Sequence, residues 1–172
     1  MKKFIFIFKI FIIFFALSSN IFANEKIYLQ KSQIQFGDGD TFTANGVIIR
    51  FLGVDTPEKK NIEHGFLKDQ YLGQEASEFT MRKIQKAKSI YYIPFQNDRY
   101  GRTLAHVFVD DKLLATQIIE AGLGYETVTT YKENGFPEFE KQILEASKKV
   151  GKPNFMNPMY WRRHQKKKTG KK

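Results

Sequence analysis

The sequence contains no cysteine, and its 172 residues include three histidines and one tryptophan. The lack of cysteine excludes disulfide bonds and thiolate metal sites, so a zinc site would have to be built from histidine and carboxylates. The histidines, His64, His106 and His164, are far apart and match no metal-binding spacing. They therefore give no indication of a zinc site.

Acidic residues are few relative to basic ones: 18 Asp and Glu stand against 28 Lys and Arg, a formal net charge of +10. This excess favours an anionic partner, either nucleic acid or an acidic membrane surface, although surface lysine can also serve solubility alone. Hydrophobic residues make up 42% and charged residues 27%, as is typical of a globular protein. The length allows one domain with a hydrophobic core and is short for two.

A long apolar run is found at the N-terminus. Two lysines precede residues 4–17, which are apolar except for Lys9, and Ala23 stands before a polar sequence. This pattern predicts a signal peptide over residues 1–23, and hence a secreted or periplasmic protein. The run is shorter than the roughly 20 apolar residues of a membrane span. If it is not cleaved, it would instead tether the protein to a membrane.

The rest of the chain predicts short strands followed by helices. Strands are predicted at residues 26–36, 41–44, 47–54, 90–96 and 103–109, and helices at residues 74–88, 113–121 and 137–150. Asn45-Gly46 joins the second and third strands and is a strong hairpin signal. The pattern indicates an α+β fold, mainly a β barrel, with the five-stranded oligonucleotide-binding (OB) barrel as its candidate. We expect one domain over residues 24–161 and a basic, disordered tail over residues 162–172.

Three short clusters combine charged residues with glycine. They are Gly37-Asp38-Gly39-Asp40-Thr41, Arg50-Phe51-Leu52-Gly53-Val54-Asp55-Thr56-Pro57-Glu58 and Asp98-Arg99-Tyr100-Gly101-Arg102-Thr103-Leu104-Ala105. Each charged residue has an ordinary explanation, because Asp and Gly favour turns and an acid often precedes or begins a helix. Taken singly, the clusters do not decide between structure and catalysis.

Arg50 is harder to explain as an ordinary residue. It interrupts an apolar strand, where a guanidinium is costly unless anions or hydrogen bonds surround it. One explanation is a structural salt bridge to Asp40 or Asp55. The other is a phosphate, which a guanidinium can bind through two nitrogens. Arg102 allows the same two interpretations, or that of a plain surface arginine.

Together these residues suit phosphodiester hydrolysis. Asp40 and Asp55 are predicted near one end of the barrel, where two carboxylates, a carbonyl and water would suit a hard cation. A cation and guanidinium groups stabilise charge on phosphoryl oxygens, and a carboxylate orients or deprotonates the attacking water. Glu58 is the candidate for that last role.

In this order and spacing, the three clusters closely resemble the staphylococcal nuclease (thermonuclease) family over residues 28–150. The resemblance implies an OB-fold barrel with three helices and Ca²⁺-dependent endonuclease cleavage of DNA and RNA to 3′-phosphate products. Asp40, Asp55 and the carbonyl of Thr56 resemble its calcium ligands. Glu58 resembles the residue that activates water, and Arg50 and Arg102 resemble the phosphate-binding arginines. Tyr100 resembles a nucleotide-binding tyrosine, and Tyr131 is the best match to a second one.

An alternative function is a catalytically weak OB-fold module that only binds nucleic acid. The presence of Asp40, Arg50, Asp55, Glu58 and Arg102 favours the enzyme. A membrane-surface protein would account for the basic charge but not for the clusters. We therefore expect a hydrolase acting on single- and double-stranded DNA and RNA, monomeric and without an obligate protein partner.

Overall fold

The computed structural model describes residues 25–131 and 135–169. The predicted signal peptide, residues 1–23, lies outside the described residues. Within the described part, no helix has the length and apolar character that crossing a membrane requires.

The element order is mainly strands in the first two thirds and helices at the end. The strands are β1 (Ile27–Tyr28), β2 (Ile34–Phe36), β3 (Thr41–Ala44), β4 (Val47–Phe51), β5 (Val54–Asp55), β6 (Ile90–Asn97), β7 (Thr103–Val109), β8 (Lys112–Leu113) and β9 (Tyr125–Glu126). The helices are α1 (Gly73–Lys86), α2 (Leu114–Glu120), α3 (Pro137–Val150) and α4 (Pro158–Thr169). Most of these bounds agree with the predicted ones up to residue 150. The single strand predicted over residues 26–36 is wrong, because a 3-10 turn at Lys31–Gln33 divides it into β1 and β2. The strand predicted over residues 47–54 is likewise divided, into β4 and the start of β5.

One curled sheet forms the body of the protein. Its strand order is β1-β6-β7-β4-β3-β2, with β8 paired to β7, while β5 and β9 form a separate two-stranded ladder. The pairs are antiparallel except for β4 and β7, which are parallel. In the described part, the five strands of three or more residues are β2, β3, β4, β6 and β7. They form a half-barrel that confirms the predicted α+β, OB-like fold.

The hairpin between β3 and β4 sets the register of the site. Asn45 and Gly46 have φ of 51° and 79°, both in the left-handed region that a type I′ turn requires. The register places Thr41 opposite Arg50. Because side chains alternate between the two faces of a strand, Ile49 is buried in the core while Arg50 faces the other side. The predicted hairpin is confirmed.

The core lies between the sheet and helices α2 and α3. Its fully buried members include Ile49, Leu114, Ile118 and Ile143. Ile143 packs so closely against Gly53 that a Cβ at Gly53 would lie 2.2 Å from its Cδ1. Gly53 also has a φ of 82°, in the left-handed region. Both the close approach of Ile143 and this backbone conformation therefore require glycine at the turn that leads into β5.

The prediction of a disordered tail over residues 162–172 is wrong for residues 162–169, because Arg162 belongs to α4 and this helix continues to Thr169. Pro158 begins the helix, and Trp161 and Gln165 are buried one turn apart on the same face. Trp161 packs edge-on against Phe66, with ring centroids 5.3 Å apart. These buried side chains hold a basic segment against the body. Helix α4 is therefore a fourth helix of the described part, where three were expected. Residues 170–172 lie outside the described residues.

Candidate active site

Two segments separated by the hairpin supply the predicted acids. Asp40 immediately precedes β3, and Asp55 ends β5 shortly after β4. The backbone N–H of Phe51 donates to the carbonyl of Asp40 at 2.9 Å, so the hairpin holds the two segments side by side. The structure thus brings the acids to one place, as the sequence predicted.

Asp40 is almost fully buried, with 1% of its surface exposed. Its Oδ2 accepts hydrogen bonds from the backbone N–H of Thr56 at 2.7 Å and from the Thr56 hydroxyl at 2.9 Å. Its Oδ1 accepts one from the hydroxyl of Thr41 at 3.1 Å and forms an ion pair with Arg50. These contacts compensate the cost of burying the carboxylate.

Arg50 joins the two aspartates. One terminal nitrogen faces Asp40, and the other donates to Oδ1 of Asp55 at 2.7 Å. The second nitrogen also lies 3.4 Å from the carbonyl of Val54. The Arg50 side chain retains 16% exposure, so it remains open to solvent at the edge of the site. The structural salt bridges considered from the sequence are therefore both present.

Arg162 of α4 is a member of this site that the sequence did not predict. Its Nη1 and Nη2 donate to Oδ1 and Oδ2 of Asp55 at 3.0 and 2.9 Å. The same Nη1 also donates to Oε1 of Glu58. Asp55 is therefore held on both oxygens by Arg162 and on one of them by Arg50 as well.

The pKa values of these acids move in opposite directions. Burial acts to raise the pKa of the Asp55 carboxyl, but Arg50 and Arg162 outweigh it and hold that pKa below its usual range. Burial raises the pKa of the Glu58 carboxyl; Arg162 opposes this, and the charge of Asp38 adds to it. Asp55 is thus a stable anion, whereas Glu58 is a stronger base than an exposed glutamate.

Asp38 adds a fourth carboxylate. Its Oδ1 is buried and has no hydrogen-bond partner among the residues that the structure describes. With every group ionised, four carboxylates (Asp38, Asp40, Asp55 and Glu58) face two guanidiniums, which leaves two negative charges in excess. In the described ranges, no three acid or histidine side chains form a ready metal cluster.

Gln70 links Glu58 to the segment that leads into α4. Its side-chain Oε1 accepts a hydrogen bond from the backbone N–H of Glu58 at 3.3 Å. Its backbone N–H donates to the carbonyl of Glu58 at 2.8 Å. Its Nε2 donates to the carbonyl of Met156. Because Gln70 is 4% exposed, this bridge is shielded from water. It fixes Glu58 and α4 relative to each other.

Arg102 is paired with an acid outside this group. Its Nε donates to Oδ2 of Asp98 at 2.8 Å, and its backbone N–H to Oδ1 at 3.0 Å. In the parallel pairing of β4 and β7, Leu104 aligns with Arg50. Strand alternation then puts the Arg102 side chain, two residues earlier, on the Arg50 face of the sheet. In the described part, no ion pair joins Arg102 to the buried aspartates.

Tyr100 lies in the same turn and is 66% exposed. The guanidiniums of Arg99 and Arg102 lie 4.9 and 5.6 Å from its ring centre. Tyr131 is 51% exposed, and its backbone N–H donates to the carbonyl of Thr127. Both predicted tyrosines are accessible, and Tyr100 lies next to Arg102.

The family model described as "Staphylococcal nuclease homologue" matches residues 48–153, more than half of the chain. The chain belongs to the staphylococcal nuclease family. Membership makes it a nuclease, that is, a phosphodiester hydrolase.

Several curated relatives resemble this nuclease. The thermonuclease of Staphylococcus hyicus is 33% identical over 137 residues, covering 76% of the chain and 74% of that protein. The SPbeta prophage-derived endonuclease YokF of Bacillus subtilis (strain 168) is 33% identical over 122 residues, covering 63% of the chain and 38% of that protein. An uncharacterized endonuclease of Escherichia coli O157:H7 is 31% identical over 93 residues, or 51% of the chain and 54% of that protein.

Sequence reasoning assigned no role in this nuclease site to three residues, Asp38, Gln70 and Arg162. The spacing of Pro158, Trp161 and Gln165 could have indicated a helix with a buried face, and so could have placed Arg162 against the body. Gln70 lies in an irregular loop and carries no comparable signal. Its role depends on a contact with Met156, 86 residues further along the chain.

Proposed function

We propose that the protein is an exported, Ca²⁺-dependent nuclease that hydrolyses DNA and RNA to 3′-phosphate products. The observation that supports this most is the joining of Asp40 and Asp55 by Arg50 in one buried site, with Glu58 attached through Arg162. Arginines and acids in contact provide both phosphate-binding and water-activating groups. The similarity to a thermonuclease supports the same reaction class.

The donor set fits a hard divalent cation. Asp40, Asp55 and the carbonyl of Thr56 would hold it, with water completing the oxygen ligands. The two excess negative charges and the unpartnered buried oxygen of Asp38 favour this. When bound, the cation supplies positive charge to the phosphoryl oxygens as negative charge develops on them. Since Arg162 contacts both oxygens of Asp55, its guanidinium competes with a cation for this carboxylate.

Arg50 is proposed to bind the scissile phosphate. Its partial exposure lets it reach an anion at the edge of the site while Asp40 and Asp55 keep its orientation. Arg102 lies on the same sheet face and is proposed to contact the phosphate from the side of β7. Asp98 contacts Nε and Nη2 of Arg102 and so orients its guanidinium.

Glu58 is proposed to accept the proton of the attacking water. Its elevated pKa makes its carboxylate a more effective base, and Gln70 fixes its backbone. The exposed ring of Tyr100 is proposed to stack on a nucleotide base. Tyr131 is proposed as a second nucleotide contact on the strength of the resemblance alone.

Export is proposed from the sequence of residues 1–23, which predicts a signal peptide that is cleaved after Ala23. An N-terminal sequence of the purified mature protein that begins at Asn24 would support export. An intact N-terminus would favour a membrane-tethered form.

The direct test is cleavage of single- and double-stranded DNA and RNA by the purified protein, with calcium or with a calcium chelator. We expect cleavage with calcium, none with the chelator, and 3′-phosphate ends on the products. Cleavage that persists in the chelator would overturn the calcium requirement. Binding of nucleic acid without cleavage under any condition would favour the binding module.

A further inference from the structure

Helix α4 has one face against the body and another in solvent. The buried face carries Pro158, Trp161 and Gln165. Arg162 lies at the border of this face, where it contacts Asp55 and Glu58. The helix therefore runs past the active site with one of its sides next to the catalytic acids.

The approach to this helix is firmly held. The hydroxyl of Tyr125 donates to the carbonyl of Phe155 at 2.7 Å, and Gln70 donates to the carbonyl of Met156. Trp161 then packs on Phe66 within the helix itself. These contacts fix the side of α4 that faces the site.

Helical spacing extends this side beyond Arg162. Residues four apart lie on the same side of a helix, about 6 Å apart along its axis. Lys166 is therefore one turn beyond Arg162 on the same side, and it is exposed. Lys168, two residues further, projects roughly 200° away around the axis. The helix thus provides two exposed lysines that project in different directions.

The charge of α4 has one sign. The helix sequence contains no acid, and its exposed residues include Arg163, Lys166 and Lys168. The exposed ring of Tyr160 lies 5.9 Å from the guanidinium of Arg163. A basic surface that continues from a phosphodiesterase site complements a nucleic-acid backbone.

We propose that α4 is a wall of the substrate cleft, along which a single nucleic-acid strand continues from the phosphate at Arg50 past Arg162 to Lys166. Arg162 contacts the strand at the site, and Lys166 contacts a backbone phosphate one helical turn away. This rests on the proposed nuclease function for its substrate. It adds a docking surface outside the catalytic residues.

The test is binding of a single-stranded 12-mer oligonucleotide to the full chain in a calcium chelator, measured by fluorescence anisotropy at several salt concentrations. Lys166→Ala should weaken binding by about 3- to 10-fold at low salt and reduce the magnitude of the salt slope by roughly 0.7. Lys168→Ala, the matched control that removes the same charge from the same helix, should change affinity by less than about twofold.

Each other outcome overturns the proposal. Equal losses in both variants would mean that the helix attracts nucleic acid only through its total charge. No loss in Lys166→Ala would mean that the strand does not pass this side. Binding of the same variants to vesicles containing phosphatidylserine is measured in parallel. If Lys166→Ala loses vesicle binding while its oligonucleotide binding is unchanged, α4 is a membrane-binding helix. Because no cleavage is measured, these outcomes are independent of calcium-dependent catalysis.

Discussion

Arg162 and Asp55 are separated by 107 residues in the chain, yet the two terminal nitrogens of Arg162 donate to the two carboxylate oxygens of Asp55. This bidentate contact neutralises the aspartate that is proposed to bind calcium. Burial acts to lower the pKa of the Arg162 guanidinium, but its contacts with Asp55 and Glu58 raise it, so the arginine stays charged. A basic C-terminal helix is thus a structural part of the active site.

Replacing Arg162 should strengthen calcium binding. In Arg162→Ala a cation no longer competes with the guanidinium for Asp55, and the acids lose a nearby positive charge. We expect the dissociation constant for calcium, measured by isothermal titration calorimetry, to fall by about tenfold, or roughly 1.4 kcal/mol. Arg163→Ala, which removes the exposed neighbouring arginine, is the control. An unchanged or larger constant in Arg162→Ala would show that Arg162 does not compete with the ion.

Gln70→Leu should lower turnover without removing a proposed catalytic group. The change removes the bridge between the backbone of Glu58 and the carbonyl of Met156, so Glu58 is less precisely placed. We expect kcat to fall by about 10- to 100-fold, with calcium affinity within roughly twofold of the parent. Gln74→Leu makes the same substitution at an exposed position. Parental kcat in a folded Gln70→Leu protein would rule out the positioning role.

Asp110 predicts a pH dependence of stability away from the site. Hydrogen bonds from the backbone N–H groups of Ser89 and Lys88 hold the pKa of its carboxyl below its usual range. Its stabilising effect is therefore present above the unfolded-state pKa of about 3.9, and is lost as pH falls through the lower folded-state pKa.

Asp110→Asn should be less stable than the parent at pH 7, and the difference should shrink as pH falls below about 4. Urea unfolding of both proteins across this pH range measures the difference in their free energies of unfolding. Asn suits the left-handed backbone at this position, where φ is 51°. Asp111→Asn removes a neighbouring charge without touching the two amides and serves as control. A stability difference that is constant from neutral to acid pH would contradict the assignment.

The sequence predicted those features that depend on local pattern. Asn45-Gly46 favours a positive φ at both positions, so it located the hairpin and, through it, the register of Arg50. Arg50 in an apolar strand indicated nearby anions, and the structure supplies Asp40 and Asp55. Each of these inferences needed only neighbouring residues or the alternation of a strand.

The remaining features depend on contacts between distant segments. A run of basic residues cannot bury itself, so the sequence predicts a disordered tail that includes Arg162, whereas the buried Trp161 holds this run against the body. The pairing of Arg102 with Asp98 follows from a tight turn around Gly101, which the charges alone did not indicate. Long-range side-chain partners are set by packing, and a single sequence records them weakly.

The role of Glu58 tests the account most directly. Glu58→Gln keeps the size of the side chain but removes the proposed base, so single-turnover cleavage at saturating calcium should slow by about 10²- to 10⁴-fold. Calcium affinity, oligonucleotide binding and the unfolding midpoint should show that the variant is folded and binds both ligands. A cleavage rate equal to that of the parent would contradict the proposed mechanism.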